Sequence, residues 1–350
     1  MINILLSGDR PRSILLSAIL LVILIALALA PFLFPGVRSL ETAARICIFI
    51  VLVASYDLLL GYTGIVSFAH TMFFGLGAYG VALASTHMGR GFDALVVGSA
   101  LGALAAAVLA FAIGLFSLRV RAIFFAMITL AVASAVAVLV SQMSELTGGE
   151  DGLNYLVPRE LTPAFRFGEA FGIKLNGRLL AYYLVFASCL LLFLVLLRVV
   201  NSPFGRVLKA IRENDFRAEA IGFRVVAYRT MATCLSAAVA ALAGSIFAIW
   251  LRYVGPDTTL SFSIMLDILL MVVIGGMGTM YGAVIGATLF VLAQNYLQTL
   301  MGSASEATSA LPLIPDLLSP DRWLLWLGVL FILSVYFFPT GIVGRLRGVR

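Results

Sequence analysis

The residues able to do chemistry in this chain are few and isolated. Histidine occurs twice, as His70 and His87, and lysine twice, as Lys174 and Lys209. Neither lysine follows a glycine, so the Gly-Lys-Ser/Thr end of a nucleotide phosphate loop is missing. Two distant histidines cannot form the pair of an HExxH zinc site, and no G-x-S-x-G nucleophile elbow occurs. Cys47, Cys189 and Cys234 each fall inside an apolar run without metal-like spacing, and they read as small buried hydrophobes. The chain is therefore expected to hold no catalytic residue, metal or cofactor of its own. What remains is Asp57, His70 and Asp267, ionisable groups within or at the edge of apolar stretches. A charge in hydrocarbon is costly, so each is a functional candidate for ion coupling or solute contact. All three lie near the ends of those stretches, where water can satisfy them, and Asp267 is the deepest. For His70 the plain alternative is a bond to a nearby backbone carbonyl. A chain of several carboxylates, as in a proton-coupled carrier, is absent.

These groups need a scaffold, and composition says what kind. Of the 350 residues 62% are hydrophobic and 11% are charged, where a soluble domain carries about 25% charged residues. The charges separate apolar runs of roughly 20 residues, the length that crosses a bilayer. The reading is an all-α polytopic membrane protein forming one domain over 1–350. About ten helices are expected, at 13–34, 41–60, 67–86, 93–116, 122–142, 179–199, 228–250, 262–277, 282–301 and 322–340. The run 13–34 is read as a retained helix, because it is long enough to span and Pro31 directly follows the cleavage-like Ala28-Leu29-Ala30. The net charge of +6 does not point to nucleic acid, since the basic residues sit at the ends of apolar runs, where they set orientation. Placing both termini in the cytoplasm puts 14 of the 23 Lys and Arg inside, among them Arg10, Arg12, Arg119, Arg121 and Arg350.

Two loops stand out, one cytoplasmic at about 200–227 and one outer at about 143–178. In the first, Ser202-Pro203 is a helix start, a hydroxyl cap followed by proline at the first helical position. Phe204, Val207, Leu208 and Ile211 then share one face, with Arg206, Lys209, Arg212 and Glu213 elsewhere. Glu213 and Arg217 sit four apart in the favourable order. Asn214-Asp215 can break and re-cap the chain, and a second short helix, 216–221, would end at Gly222. Such a pair either lies on anionic headgroups or docks a soluble partner; physics alone divides these evenly. Glycines cluster as Gly61-Tyr62-Thr63-Gly64, as Gly75, Gly77 and Gly80, and as Gly275-Gly276-Met277-Gly278 with Gly282 and Gly286. They allow close helix packing or form non-helical joints along a path.

At these motifs the sequence resembles the permeases of branched-chain amino acid ABC importers, of the LivM type. The resemblance rests on LLLGYTGIVSFAHTMFFGLGAYG (58–80), FFAMITLA (124–131), LTGGEDGL (146–153), SPFGRVLKAIRENDFRAEAIGF (202–223), DILLMVVIGGMGTMYGAVIGA (267–287) and FFPTGIVG (337–344). Asp57 departs from it, the family having Asn more often. The resemblance implies an importer subunit in a bacterial inner membrane, translocating branched-chain or related apolar amino acids. The alternatives are urea, short amides or another small organic solute, or a stand-alone secondary carrier. It implies as partners a second homologous permease, two cytoplasmic ATPases that bind the ATP, and a periplasmic solute-binding protein facing Gly148 to Asp151. It also implies that 202–223 couples to an ATPase, with Phe204, Leu208 and Ile211 as apolar anchors, Arg206, Arg212 and Glu219 as polar contacts, and Gly222 closing the element. Asp57, Gly61, Gly64, His70, Asp267, Gly275, Gly276 and Gly278 are then candidates for the path or its gate.

Overall fold

The computed structural model describes residues 13–33, 36–117, 122–170, 173–307, 319–338 and 340–348. Arg10, Arg12, Arg119, Arg121 and Arg350 lie outside these residues. In hydrocarbon every backbone polar group needs an internal partner, which a helix supplies without help from its neighbours. The apolar runs accordingly form α1 (Ile14–Ala28), α2 (Val37–Thr63), α3 (His70–Met88), α4 (Phe92–Ser117), α5 (Ala122–Gln142) and α6 (Gly177–Val200). After the short pair α7 (Pro203–Glu213) and α8 (Asp215–Ala220) come α9 (Val225–Leu251), α10 (Phe262–Gly275), α11 (Met280–Ala307), α12 (Trp323–Phe337) and α13 (Gly341–Gly348).

Each expected span falls on one of these helices. Among the described residues, seven segments are long and apolar enough to cross a membrane unaided. They are α2, α4, α5, α6, α9, α11 and a segment made of α10 with the short turn before it. Of the other three, α1 and α12 have 15 residues each, and α3, with 19, is diluted by glycine, serine and threonine. The protein is a multi-pass, all-α membrane protein. Two minute antiparallel ladders that the sequence pattern does not announce sit in loops between its helices. One pairs β1 (Leu153–Asn154) with β4 (Tyr253–Val254), and the other pairs β2 (Arg166–Ala170) with β3 (Ile173–Asn176).

Helix α2 runs through the centre and is buried almost continuously from Thr42 to Thr63. Helices α9, α11, α6 and α10 surround it, while α3 and α4 pack on α9. Glycine permits the closest approaches. A Cβ at Gly77 would lie 1.7 Å from the Ala241 carbonyl oxygen, and one at Gly244 would lie 1.9 Å from that of Phe74. The glycines of α3 therefore form a packing surface, with Gly80 set against Gly98 and Gly102 of α4.

Two irregular stretches enter the bundle, the first non-helical and the second holding only the short helix Pro256–Thr259. Gly64 to Ala69 links α2 to α3, and its far end, His70, lies 3.0 Å from Ser55 of α2 (Nε2 to Oγ), so the link climbs back beside the helix it left. From the other end, residues 252–261 descend to α10, whose first residue, Phe262, meets Phe68 with ring centroids 6.1 Å apart. The α10–α11 turn lies beside both Arg212 of α7 and Gly341 of α13. The α7–α8 loop and α13 thus share one end of the molecule.

Candidate functional site

At that end the last turn of α2 presents carbonyls that no intrahelical N–H can reach, and these carry the negative end of the helix dipole. Gly64, at φ +74°, closes the helix in the left-handed conformation, and Thr63 returns its hydroxyl to the Leu59 carbonyl at 2.6 Å. Two cations of α7 meet this end. The Arg212 guanidinium donates a hydrogen bond to the Gly61 carbonyl. Lys209 Nζ stands 5.0 Å from the centre of the Tyr62 ring, within cation–π range.

One turn earlier, the Asp57 carboxylate accepts from the Gly278 backbone N–H at 2.9 and 3.1 Å. It thereby caps the turn in which Gly276 and Gly278 take φ of +118° and +79°. Gly61 lies between these groups. A Cβ there would fall 2.1 Å from Asp57 Oδ1 and 2.3 Å from the Gly278 nitrogen. Gly275 packs on the backbone of Gly282, and Gly276 faces Thr340 and Gly341. Asp57, Gly61, Gly64, Gly275, Gly276, Gly278 and Arg212 therefore form one joint, built from α2, α7, the α10–α11 turn and the segment entering α13.

The local grammar of 202–222 folds as the sequence predicts. The Ser202 hydroxyl accepts from the Gly205 N–H, Asn214 Oδ1 accepts from the Arg217 N–H at 2.9 Å, and Gly222 adopts φ +96° after α8. The direction of its apolar face is different from the expected one. Leu208 and Ile211 are 0% and 1% exposed, packed within this chain. They seat the loop on the protein and are not free to enter a partner's groove. Phe204 is half-buried and stacks on Tyr228 at 5.8 Å. Arg212 is likewise spent on Gly61. Glu213 and Arg217 form no pair, because α7 ends at Glu213 and the helical i, i+4 relation is broken at Asn214; Asp215 pairs with Arg229 at 3.5 Å instead. What faces outward is Arg206, Glu219 and Gly222 together with Phe216 and Ile221, which are 79% and 72% exposed. These last two lie off the stripe that starts at Phe204, so the helical pattern of α7 does not mark them.

The other two ionisable candidates lie elsewhere. His70 is fully buried, its Nε2 3.0 Å from Ser55 Oγ and 3.4 Å from Ser236 Oγ. Hydroxyls take the place of the expected carbonyl, and the Ser236 hydroxyl itself donates to the Ser55 carbonyl. This cluster ties α2, α3 and α9 together. Asp267 lies near Gln294 of α11 and Arg45 of α2, so the two opposite charges share their burial. Asp57, His70 and Asp267 thus serve three separate helix contacts and are not assembled as one relay.

A sequence profile of the family described as branched-chain amino acid transport system / permease component matches residues 39–335. The chain is 28% identical over 275 residues to the high-affinity branched-chain amino acid transport system permease protein LivM of Salmonella typhimurium; the match covers 74% of this chain and 64% of that protein. Against LivM of Escherichia coli identity is 29% over 294 residues, covering 79% and 68%. Against a probable LivM of Methanocaldococcus jannaschii it is 27% over 247 residues, covering 69% and 67%. No solved structure matches.

Proposed function

Because the chain belongs to the branched-chain amino acid transport permease family, we propose that it is the membrane-spanning permease subunit of an ABC importer in a bacterial inner membrane. It moves branched-chain or related apolar amino acids, and ATP is hydrolysed on a separate subunit. Its partners in this reading are a second homologous permease, two cytoplasmic ATPases and a periplasmic solute-binding protein.

The observation that carries the proposal is the joint. The α7–α8 loop is clamped by Arg212 and Lys209 to the end of α2, and α2 is bound through Asp57 to the α10–α11 turn. A pull on the loop therefore reaches several spanning helices at once. A loop resting on headgroups would have no need of such a clamp. The outward face of α8, with Phe216 and Ile221 flanked by Glu219 and with Arg206 on α7, is the surface offered to the ATPase. Each exposed apolar side chain gains about 1.5–3 kcal/mol when it is covered.

The test is co-purification of the tagged chain with a candidate ATPase, using Phe216→Asp and Ile221→Asp. Both side chains project from the protein, so insertion and melting should match the parent chain while ATPase affinity falls by at least about tenfold. Undiminished capture and ATP-driven uptake in both variants would remove α8 as the docking face. Uptake by the chain reconstituted without any ATPase would overturn the importer reading itself.

A further inference from the structure

At the end of the bundle opposite the joint, three helices long and apolar enough to cross a membrane have their ends around one pocket of about 200 Å³. Glu41 lines it from the start of α2, Arg178 from the start of α6, and Trp250, Leu251 and Arg252 from the end of α9. Pro163, from the connection between α5 and α6, completes the wall. The pocket brings two cations together without neutralising them. Among the described residues neither arginine is in an ion pair. The Arg178 guanidinium carbon lies 5.7 Å from the centre of the Trp250 ring. Arg252 donates through Nη2 to the Leu161 carbonyl at 3.2 Å, while its Nε is buried and has no partner among the described residues. Its backbone takes φ +61°, the one left-handed non-glycine conformation among the described residues. Such a conformation is costly and is kept where the surroundings demand it. Burial, and then the like charge of Arg178, lower the pKa of the Arg252 guanidinium below its usual value. An anion between the two would relieve that repulsion. The one carboxylate on the wall, Glu41, is exposed and also attracts Arg45 one turn along α2.

We infer that this pocket binds a phospholipid headgroup carrying a phosphate and a primary ammonium group, as in phosphatidylethanolamine. Guanidinium groups match phosphate oxygens with parallel hydrogen bonds, so Arg178 and Arg252 hold the phosphodiester. The Glu41 carboxylate accepts from the ammonium group and would repel a second negative charge. The ends of three spanning helices are the level at which bilayer phosphates stand, and tryptophan is enriched there. Basic pockets between spanning helices take headgroups by this chemistry. A bound headgroup also has a structural effect. The turn at 159–163 already rests on Arg252 through the Leu161 carbonyl and on α6, where the Thr162 carbonyl leaves no space for a side chain at Gly177. The phosphate ties that turn to the ends of α2, α6 and α9.

The test is native mass spectrometry of the full chain, purified in detergent, stripped of lipid and titrated with phosphatidylethanolamine or with phosphatidylcholine, whose quaternary ammonium has no N–H to donate. The parent chain should bind the first lipid at least about fivefold more tightly than the second, and Arg178→Gln should weaken that binding about tenfold. Glu41→Gln changes an exposed side chain, so the lipid-free melting temperature should stay that of the parent while the preference for phosphatidylethanolamine disappears. If Arg178→Gln melts far below the parent, Glu41→Gln decides alone. A preference that survives Glu41→Gln, or a parent chain with no preference, would overturn the inference. Inorganic phosphate that raises the melting temperature as far as the lipid does would make this a site for a free anion and overturn the lipid assignment. Displacement of the bound lipid by free leucine would make the pocket a solute site and overturn it as well.

Discussion

The two ends of this molecule are built on opposite principles. At the joint below α2, backbone meets backbone: Gly61 against Gly278, Gly275 against Gly282, Gly276 against Gly341, with no room for a single methyl group. The polar groups that hold it are matched one to one, Arg212 to Gly61 and Asp57 to Gly278. Beside α5 the protein is open instead, with a cleft of about 570 Å³ whose lining includes Glu150, Asp257, Ser134 and Gln142. A close-packed contact transmits displacement, because packed interiors have low compressibility. A roomy, mixed surface accommodates a guest. The difference teaches that one part of this chain is built to move as a unit and another to leave space.

That contrast can be broken at the joint. The largest effect is expected from Gly61→Val, whose Cβ would overlap both Asp57 and the Gly278 nitrogen. Overpacking costs about 1–3 kcal/mol, and the displaced cap adds a comparable loss. Uptake should fall to background and the detergent melting temperature should drop; normal values of both would mean the joint is not stiff. Arg212→Ala comes next. A hydrogen bond to a charged group contributes about 1.5–3 kcal/mol, so uptake should fall about tenfold while membrane insertion persists. Arg212→Lys should restore only part of it, lacking the planar fork. Full uptake in Arg212→Ala would show that the loop is coupled by some other contact.

Asp57 sharpens the comparison. Asp57→Asn keeps an acceptor for the Gly278 N–H and should melt within about 0.5 kcal/mol of the parent. Asp57→Ala orphans that N–H and should cost about 1–3 kcal/mol. Equal losses in the two would show that the charge, not the cap, is what matters. The smallest effect belongs to Glu213→Gln. Its expected helical partner lies past the break at Asn214, so stability should shift by less than about 0.5 kcal/mol. A larger loss by thermal melt would restore the Glu213–Arg217 pair.

Much of the architecture was legible in the residues. Ten apolar runs became helices because hydrocarbon leaves the backbone no other economical form. The caps of α7 and α8 were legible too, since Ser202, Pro203, Asn214 and Gly222 act on their own neighbours. The candidate site was legible only in its parts. Asp57, Gly61, Gly278 and Arg212 each stood out, yet Asp57 and Gly278 are separated by 221 positions, beyond any local pattern. The apolar face of α7 was equally visible, but a stripe of Leu208 and Ile211 fits this chain's own core as well as a partner's groove. The β1–β4 pairing escaped because a two-residue ladder has no period to detect.

Sequence alone therefore determined the solvent this protein lives in, its helices, their ends and the basic end of the molecule. Those properties arise from transfer energies and from hydrogen bonds reaching no farther than a turn. Tertiary structure alone decided which glycines touch, that Arg212 bonds the end of α2, that Phe216 and Ile221 turn outward, and that a cleft opens beside α5. Those outcomes depend on which helix surfaces come within a few ångströms of each other, and that is settled by the packing of the whole bundle.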